Sequence, residues 1–575
     1  MHFAMVIALA FLLAAAAQAF VVYPATPRAA IDGRLTAYVD GQPQGYPLEV
    51  QNAPAKPLTR DPGFGRPPLP SSRLRLATSS AVQITLRCAG GGIFANVSDV
   101  RGVGFNTPAF RRTSNAPPST ATSVLSFSLP APCAEHPSAH YYLKATIVGG
   151  QALPPGVNAS QLFLFWLDLP VQPEPNHRAV TTMGVAANSS KAQTSAIQRA
   201  IDVAARARAT LYFPAGYYRS GVLFLRSHSR LELAPGTLLQ MPAPSDADFV
   251  QPTGAPTGCP SDFAFIEIQN ATDVSLRGGG ATLDAHGFPG HALCVSNSSR
   301  VSVSSLLIRQ PASWNTHIFR SSHVQMTGVK LFSGADGFDP DCSQDVTIDS
   351  VFVHSNDDAF AVKAVHGPGL DTERVVMSHA LISTKKSAMK VGTESVSNIR
   401  DILFTDIEAF DIDRGLVMYP SDGGQFESIR WQRVRISSFL PYHDEPEPEN
   451  KAGTWLDFAV KHRGGLSQMS NITAHSVEVH GVCGSANIKG TPGALVQNTA
   501  FTNLTLAVAS PLPSFTSKEH AKPWLISCSG GADNQTVSFS GLAVSYASAA
   551  DQAQWSGIQP TPGCVKLEEA YKNAY

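Results

Sequence analysis

The chain lacks a charge bias. Its 43 Lys and Arg balance 44 Asp and Glu for a formal net charge of −1, so no global field selects nucleic acid or a membrane surface. Beyond the first twenty residues no run is long and apolar enough to span a bilayer. No CxxC pair and no His cluster at zinc spacing occurs, which argues against a metal centre. No P-loop Lys follows the glycines of RGGGATLDAHG, so those glycines are assigned to tight corners and not to phosphate. The LxxLxL signature of leucine-rich repeats is missing too. Charged residues make up only 15%, whereas Gly (45) and Pro (42) are frequent, a balance that suits a turn-rich β protein.

What is present begins with a 15-residue apolar run, Phe3 to Ala17, followed by the small-residue pattern Ala17-Gln18-Ala19. Residues 1–19 are therefore expected to be a secretory signal peptide, although Lys and Arg are missing before the run. Eight N-x-S/T sequons, at Asn96, Asn158, Asn188, Asn270, Asn297, Asn471, Asn503 and Asn534, agree with an extracellular protein. In that setting the eight cysteines are expected to form disulfides. Cys88–Cys133 and Cys259–Cys294 are the local pairs, Cys483, Cys528 and Cys564 compete for partners, and Cys342 is expected as a buried thiol.

Residues 20–175 contain AVQITLRC, TSVLSFSL, YYLKATIV and QLFLFWLDL, strands without a regular period, and are predicted to form a β-sandwich. The segment PVQPEPNHR is the expected linker to a second domain, 176–575. That domain opens on an amphipathic helix, with Ile197, Ala200, Ile201 and Ala204 on one face and Thr194 or Ser195 as its cap. Such a helix is placed to cover the open end of a solenoid. The chain then repeats itself. Val274, Val301, Val324, Val346, Val375, Ile402 and Ile429 recur at steps of 27, 23, 22, 29, 27 and 27, with weaker copies near Ile472, Leu504 and Val537. Short strands at a period near 25 predict a right-handed parallel β-helix. The fold class expected is all-β.

The chemistry is expected at one register of this repeat. Asp336 lies 12 residues after Val324, and Asp358 lies 12 after Val346. Stacked coils are about 4.8 Å apart, so Asp336, Asp357 and Asp358 should share one patch. Crowded carboxylates repel, so one keeps its proton, and the patch can supply a general acid and a general base. The same offset names Ser313 (with Trp314 beside it), Ser387 (with Lys386), Arg414 and Pro441 (with Tyr442). A second column, at offset 17, holds Asp341, Lys363, Gly392 and Tyr419, with Asp341 and Lys363 as a structural ion pair. Trp314, His317, Lys363, Lys386, Lys390, Arg414 and Tyr419 are the candidate substrate contacts. Each has a plainer reading as well. Trp314 has a core reading, His317 is as readily core as cleft, Lys363 and Lys390 are more often surface lysines than ligands, and Arg414 is as readily an ion-pair partner.

The sequence resembles the pectin-lyase-like β-helix hydrolases, namely glycoside hydrolase family 28 (polygalacturonases) and family 49 (dextranases). TLYFPAGYY, GGGATLDAHG, SWNTHIF, GADGFDPDCSQDVTI, SNDDAFAVK, SAMKVGTES and RGLVMYPSDGG carry the resemblance over about residues 190–435. The N-terminal β domain is the family 49 feature. The resemblance implies hydrolysis of glycosidic bonds with inversion, Asp357 as acid, and Asp336 with Asp358 activating water. It implies no cofactor and a polysaccharide partner, in a secreted monomer. Two departures stand out. The His-Gly of polygalacturonases is replaced around Lys386, Ser387 and Ala388. Their Arg-Ile-Lys strand reads Leu416, Val417, Met418, Tyr419, which argues against simple polygalacturonate. The rival readings are a β-helix polysaccharide lyase and a non-catalytic glycan-binding protein.

Overall fold

A computed structural model describes residues 177–440 almost continuously, apart from 254–258, 260–261 and 368. It describes 453–509 with short gaps, and elsewhere mainly the strands. The expected signal segment, the expected Cys88–Cys133 pair, the 441–452 insertion with Pro441 and Tyr442, and the sulfurs of Cys528 and Cys564 lie outside the described residues.

The N-terminal unit is the expected β-sandwich. Among the described residues ten strands between Phe20 and Asp168 are joined by hydrogen bonds, eight in one order, with Phe20–Val22 and Arg101–Val103 pairing off that path. Every pairing is antiparallel except Ser160–Asp168 against Ser71–Thr78, which is parallel. Period-2 alternation gives these strands two different faces. Leu74, Leu76, Ala139, Tyr141, Leu143 and Leu167 are buried on one of them. The other carries Arg73, His140, Tyr142, Leu164, Trp166 and Asp168, also buried, because it packs on the second domain.

That contact is mixed apolar and polar. Trp166 meets Phe332 at 6.1 Å and Phe352 at 5.4 Å, and Tyr142 stacks on Phe410 at 4.0 Å. Inside it Lys330 Nζ lies 2.5 Å from Asp168 Oδ1, which also accepts a hydrogen bond from Ser138 Oγ at 2.5 Å. Tyr142 Oη donates to Glu408 Oε1 at 3.2 Å, and Ser437 Oγ donates to the same oxygen. A buried ion pair adds little net stability, but removing one partner strands a charge and costs about 3–5 kcal/mol.

The second domain is a right-handed parallel β-helix. The helix Thr194–Arg206 buries Ile197, Ala200, Ile201 and Ala204 against its first coil, as the spacing predicts. Neither predicted cap holds. Gln193 precedes the helix without a side-chain cap, and its amide instead bonds both polar groups of Ala186. Thr194 Oγ1 accepts the Gly221 N–H at 2.7 Å, which ties the helix to the neighbouring strand and leaves no oxygen aimed at its own first turn.

The predicted repeat column is observed pair by pair: Val274, Val301, Val324, Val346, Val375, Ile402, Ile429 and Ile472 are successive partners across parallel strands. All are buried, so each coil caps the apolar face of the one before. Leu504 is a correction. Thr499 pairs with Ile472 and Val537, while Leu504 pairs with Val477. The step from Ile472 to Thr499 is again 27 residues, but a Thr holds the column there, so apolarity alone no longer marks it.

A second sheet of the β-helix has 11 strands among the described residues, including His291–Ser296, Thr316–Phe319, Phe338–Asp341, Phe360–Ala364, Ser387–Ser395, Arg414–Pro420 and Thr454–Ala459. The chain leaves the earlier of these strands through left-handed residues, Asn270, Asn297, Arg320 and Cys342, with φ of 50, 46, 48 and 52°. Asn tolerates that region better than most residues, and Asn270 and Asn297 are exposed there. Cys259 and Cys294 form the expected disulfide, and Cys342 and Cys483 are buried thiols.

Candidate active site

Phe338 pairs with Phe360, so Asp336 and Asp358, each two residues earlier, stand on adjacent coils. One carboxylate oxygen from each of Asp336, Asp357 and Asp358 lies within 4.8 Å of the others. The backbone fixes this corner. Asp358 N donates to Asp336 Oδ1 at 3.1 Å, Ser387 N donates to Asp358 Oδ1 at 3.0 Å, and Asp357 N donates to Ala335 O at 3.2 Å. The Asp357 carbonyl accepts the hydroxyls of Ser355 and Thr384.

The three acids differ in their counter-charges. Lys363 Nζ lies 2.8 Å from Asp336 Oδ2, and Lys390 Nζ lies 2.5 Å from Asp358 Oδ2. Burial opposes ionisation of Asp358, but Lys390, Arg414 and the Ser387 contact overcome it and pull its pKa down to about 2. Burial also penalises a Lys363 cation, yet Asp336 and Asp339 outweigh that and hold it charged. Among the described residues no ion pair reaches Asp357. Burial, then the charges of Asp336 and Asp358, push its pKa up to about 8. One protonated carboxyl therefore sits beside Asp358, held towards the anion by Lys390, and beside Asp336, which is ion-paired with Lys363. That division of labour is what general acid–base chemistry requires.

The other predicted contacts are placed as follows. Lys363 is paired in register with Asp341, but the expected ion pair between them does not form. Lys363 reaches diagonally to Asp336 and, at 3.0 Å, to Asp339, while Asp341 Oδ2 takes His317 Nε2 at 3.1 Å. Backbone register fixes Cα neighbours, and a four-carbon side chain then chooses the denser group of charges. His317 is thus buried and structural. Asp339, fully buried, was not singled out from the sequence, although it stands three residues after Asp336 in ADGFD.

Thr316 pairs with Phe338, so Trp314 and not Ser313 shares the Asp336 column, one position later than the offset gives. Ser387 and Arg414 do share that column. The next member is Thr454 and not Pro441, since the insertion lengthens this coil. Arg414 Nη1 donates to Tyr419 Oη at 3.2 Å, Tyr419 donates to Asp457 Oδ2, and Arg414 Nε lies 3.3 Å from Asp413 Oδ2. Asp457 could not be found by spacing, because it lies past the insertion. Lys386 is half-buried at the rim; its carbonyl accepts the N–H groups of Asp413 and Arg414.

No family model matches the chain. In sequence it is similar to a probable polygalacturonase of Vitis vinifera, 25% identical over 259 residues, 40% of this chain and 53% of that one. It is also similar to a probable endo-xylogalacturonan hydrolase A of Neosartorya fischeri, 27% identical over 276 residues, 43% of this chain and 64% of that one. The matched part thus spans between half and two thirds of those curated relatives. Among solved structures, Dex49A from Penicillium minioluteum aligns with 95% of this chain and 96% of its own, at 13% identity and a TM-score of 0.44. By its sequence, the chain resembles the polygalacturonase-like members of the pectin-lyase-like β-helix glycoside hydrolases.

Proposed function

We propose that the protein is a secreted glycoside hydrolase that cleaves a polysaccharide by a single displacement with inversion. The observation that supports it is the unequal acid triad: Asp357 unpaired, Asp336 and Asp358 each on its own lysine. Asp357 gives its proton to the glycosidic oxygen as the C–O bond breaks. Asp336 and Asp358 hold a water by their remaining lone pairs and take its proton as the new C–O bond forms. Both relatives named above carry pectic substrates in their names, which supports a pectin-related polysaccharide as substrate class.

A lyase would need a neutral base beside the sugar's acidic C–H. Lys363 and Lys390 do not suit that role, because burial is outweighed by neighbouring carboxylates and both stay protonated. Among the described residues no helix is long and apolar enough to cross a membrane.

The test is release of reducing ends from a panel of polysaccharides by the wild type and by Asp357→Asn. The amide keeps the shape but cannot donate the proton, so turnover should fall by about 10²–10⁴-fold. Near-normal turnover by the folded variant would remove Asp357 from the acid role. NMR of the first product reports its anomer. Inverting carboxyls usually stand about 6.5–9.5 Å apart, wider than the closest oxygens here, so a retained anomer would make one base carboxylate the nucleophile. Ultraviolet-absorbing unsaturated ends would favour a lyase.

A further inference from the structure

Asp339 has no task in the mechanism above, yet it lies fully buried against the acid triad. It stands three residues after Asp336, on the strand Phe338–Asp341. Its exposure is 0%, and that of Asp336 is 3%. Its neighbours can be taken coil by coil. On the preceding coil its register partner is His317, whose Nε2 turns to Asp341 Oδ2 at 3.1 Å. On the following coil Phe360 pairs with Phe338, which sets the apolar Ala361 beside Asp339. Lys390 comes next in that column and faces Asp358. Among the described residues the one cation within ion-pair distance of Asp339 is Lys363, with Nζ 3.0 Å from Oδ1. The same ammonium lies 2.8 Å from Asp336 Oδ2, 4.0 Å from Glu394 Oε2 and 3.5 Å from the centre of the Trp314 ring.

Two buried carboxyls thus share one ammonium. Asp336 has a further donor, the Asp358 N–H on its Oδ1. Asp339 Oδ2 has none among the described residues. A buried carboxylate with an oxygen that nothing donates to is costly, and such a group takes up a proton instead. Where two carboxyls face each other, the less supported one keeps the proton. Burial pushes Asp339 well above the usual carboxylate range; Lys363 offsets part of this, and the Asp336 charge and a hydrogen bond with Asp336 add to the rise. The charges then balance. With protons on Asp339 and Asp357, Asp336 faces Lys363 and Asp358 faces Lys390, one anion to each cation.

We propose that Asp339 is a positioning residue that works as a neutral acid: its O–H donates to the Asp336 carboxylate, and its carbonyl oxygen accepts from Lys363. Asp336 is then fixed by the Asp358 N–H, the Lys363 ammonium and the Asp339 hydroxyl. A carboxylate offers about four lone-pair sites, so one is left, and it points where the attacking water is held. The Asp339 proton takes no part in bond breaking and stays in place through the reaction.

This inference rests on the hydrolase reading, and one arm of its test needs no turnover. The infrared spectrum of the wild type minus that of Asp339→Asn, at neutral pH, should show the C=O band of a protonated carboxyl. Carboxylate bands in its place would overturn the proposal. The second arm is kinetic. Asp339→Ala should lower kcat by about 10–100-fold with little change in KM, because a fully buried side chain meets no sugar. Asp339→Asn, whose amide N–H stands in for the O–H, should recover most of that loss. Equal losses in folded Asn and Ala variants would show that no donor is needed at this position. Should Asp339→Ala not fold, the infrared arm decides alone. A wild type that releases no reducing ends would sink the hydrolase reading, and the infrared arm would still decide where the proton lies.

Discussion

Lys390 Nζ sits 2.5 Å from Asp358 Oδ2, one residue along the chain from Asp357, which has no such partner. Adjacent acids thus sit at opposite ends of the carboxylate range, about 2 for Asp358 and about 8 for Asp357. In the proposed mechanism Asp357 must be protonated and Asp358 ionised. The pH profile of kcat/KM should therefore be flat through the acidic and neutral range and fall on the basic side near 8. A basic limb near 5 would mean that Asp357 is not the group titrating.

Lys390→Gln removes a charge that lowers both pKa values. Both limbs of the profile should move to higher pH, with kcat reduced. A drop in kcat with neither limb displaced would reduce Lys390 to a packing role.

The domain contact titrates too. Burial raises Glu408 to about 7, with the Ser437 and Tyr142 hydroxyls partly offsetting it. The folded pKa is above the ordinary 4.5, so this group's contribution is complete below about pH 4.5 and is lost as pH rises through about 7. Glu408→Gln keeps both accepted hydrogen bonds without the ionisation. Its Tm, compared with the wild type, should gain as pH goes from 5 to 8. A difference independent of pH would show that Glu408 does not ionise in the contact.

Charge also bears on substrate. Lys363, Lys390 and Arg414 each already face a carboxylate within the floor, and Val417 presents no polar group there. Polygalacturonate should be bound less well than its methyl-esterified form, since these three cations are already paired with carboxylates of the protein. Tighter binding of the free acid would contradict this. Arg414→Ala should raise KM more than it lowers kcat if Arg414 contacts a sugar directly.

The valine–isoleucine column was legible because every coil must bury one apolar residue at the same corner, which is periodic in sequence. The Asp336–Asp358 pairing followed, since both lie at one offset from that column in coils without insertions. Trp314 was missed by one position and Thr454 by a whole insertion, because an offset survives only where coil length does. The partners of Lys363 were not legible, for a flexible side chain answers to charge density and not to register. His140, Asp168 and Lys330 left no trace at all, because a contact between positions more than 150 apart imposes no period on either.

The bond between Asp168 and Lys330 also bears on how the chain could be divided. A solenoid cut away near residue 176 would expose Phe332, Phe352, Leu381 and Phe410 together and leave the Lys330 ammonium without its anion. The sandwich is therefore not a detachable module strung on a tether. It is a wall of the solenoid, and a chain shortened at this point is expected to aggregate through that bared apolar patch.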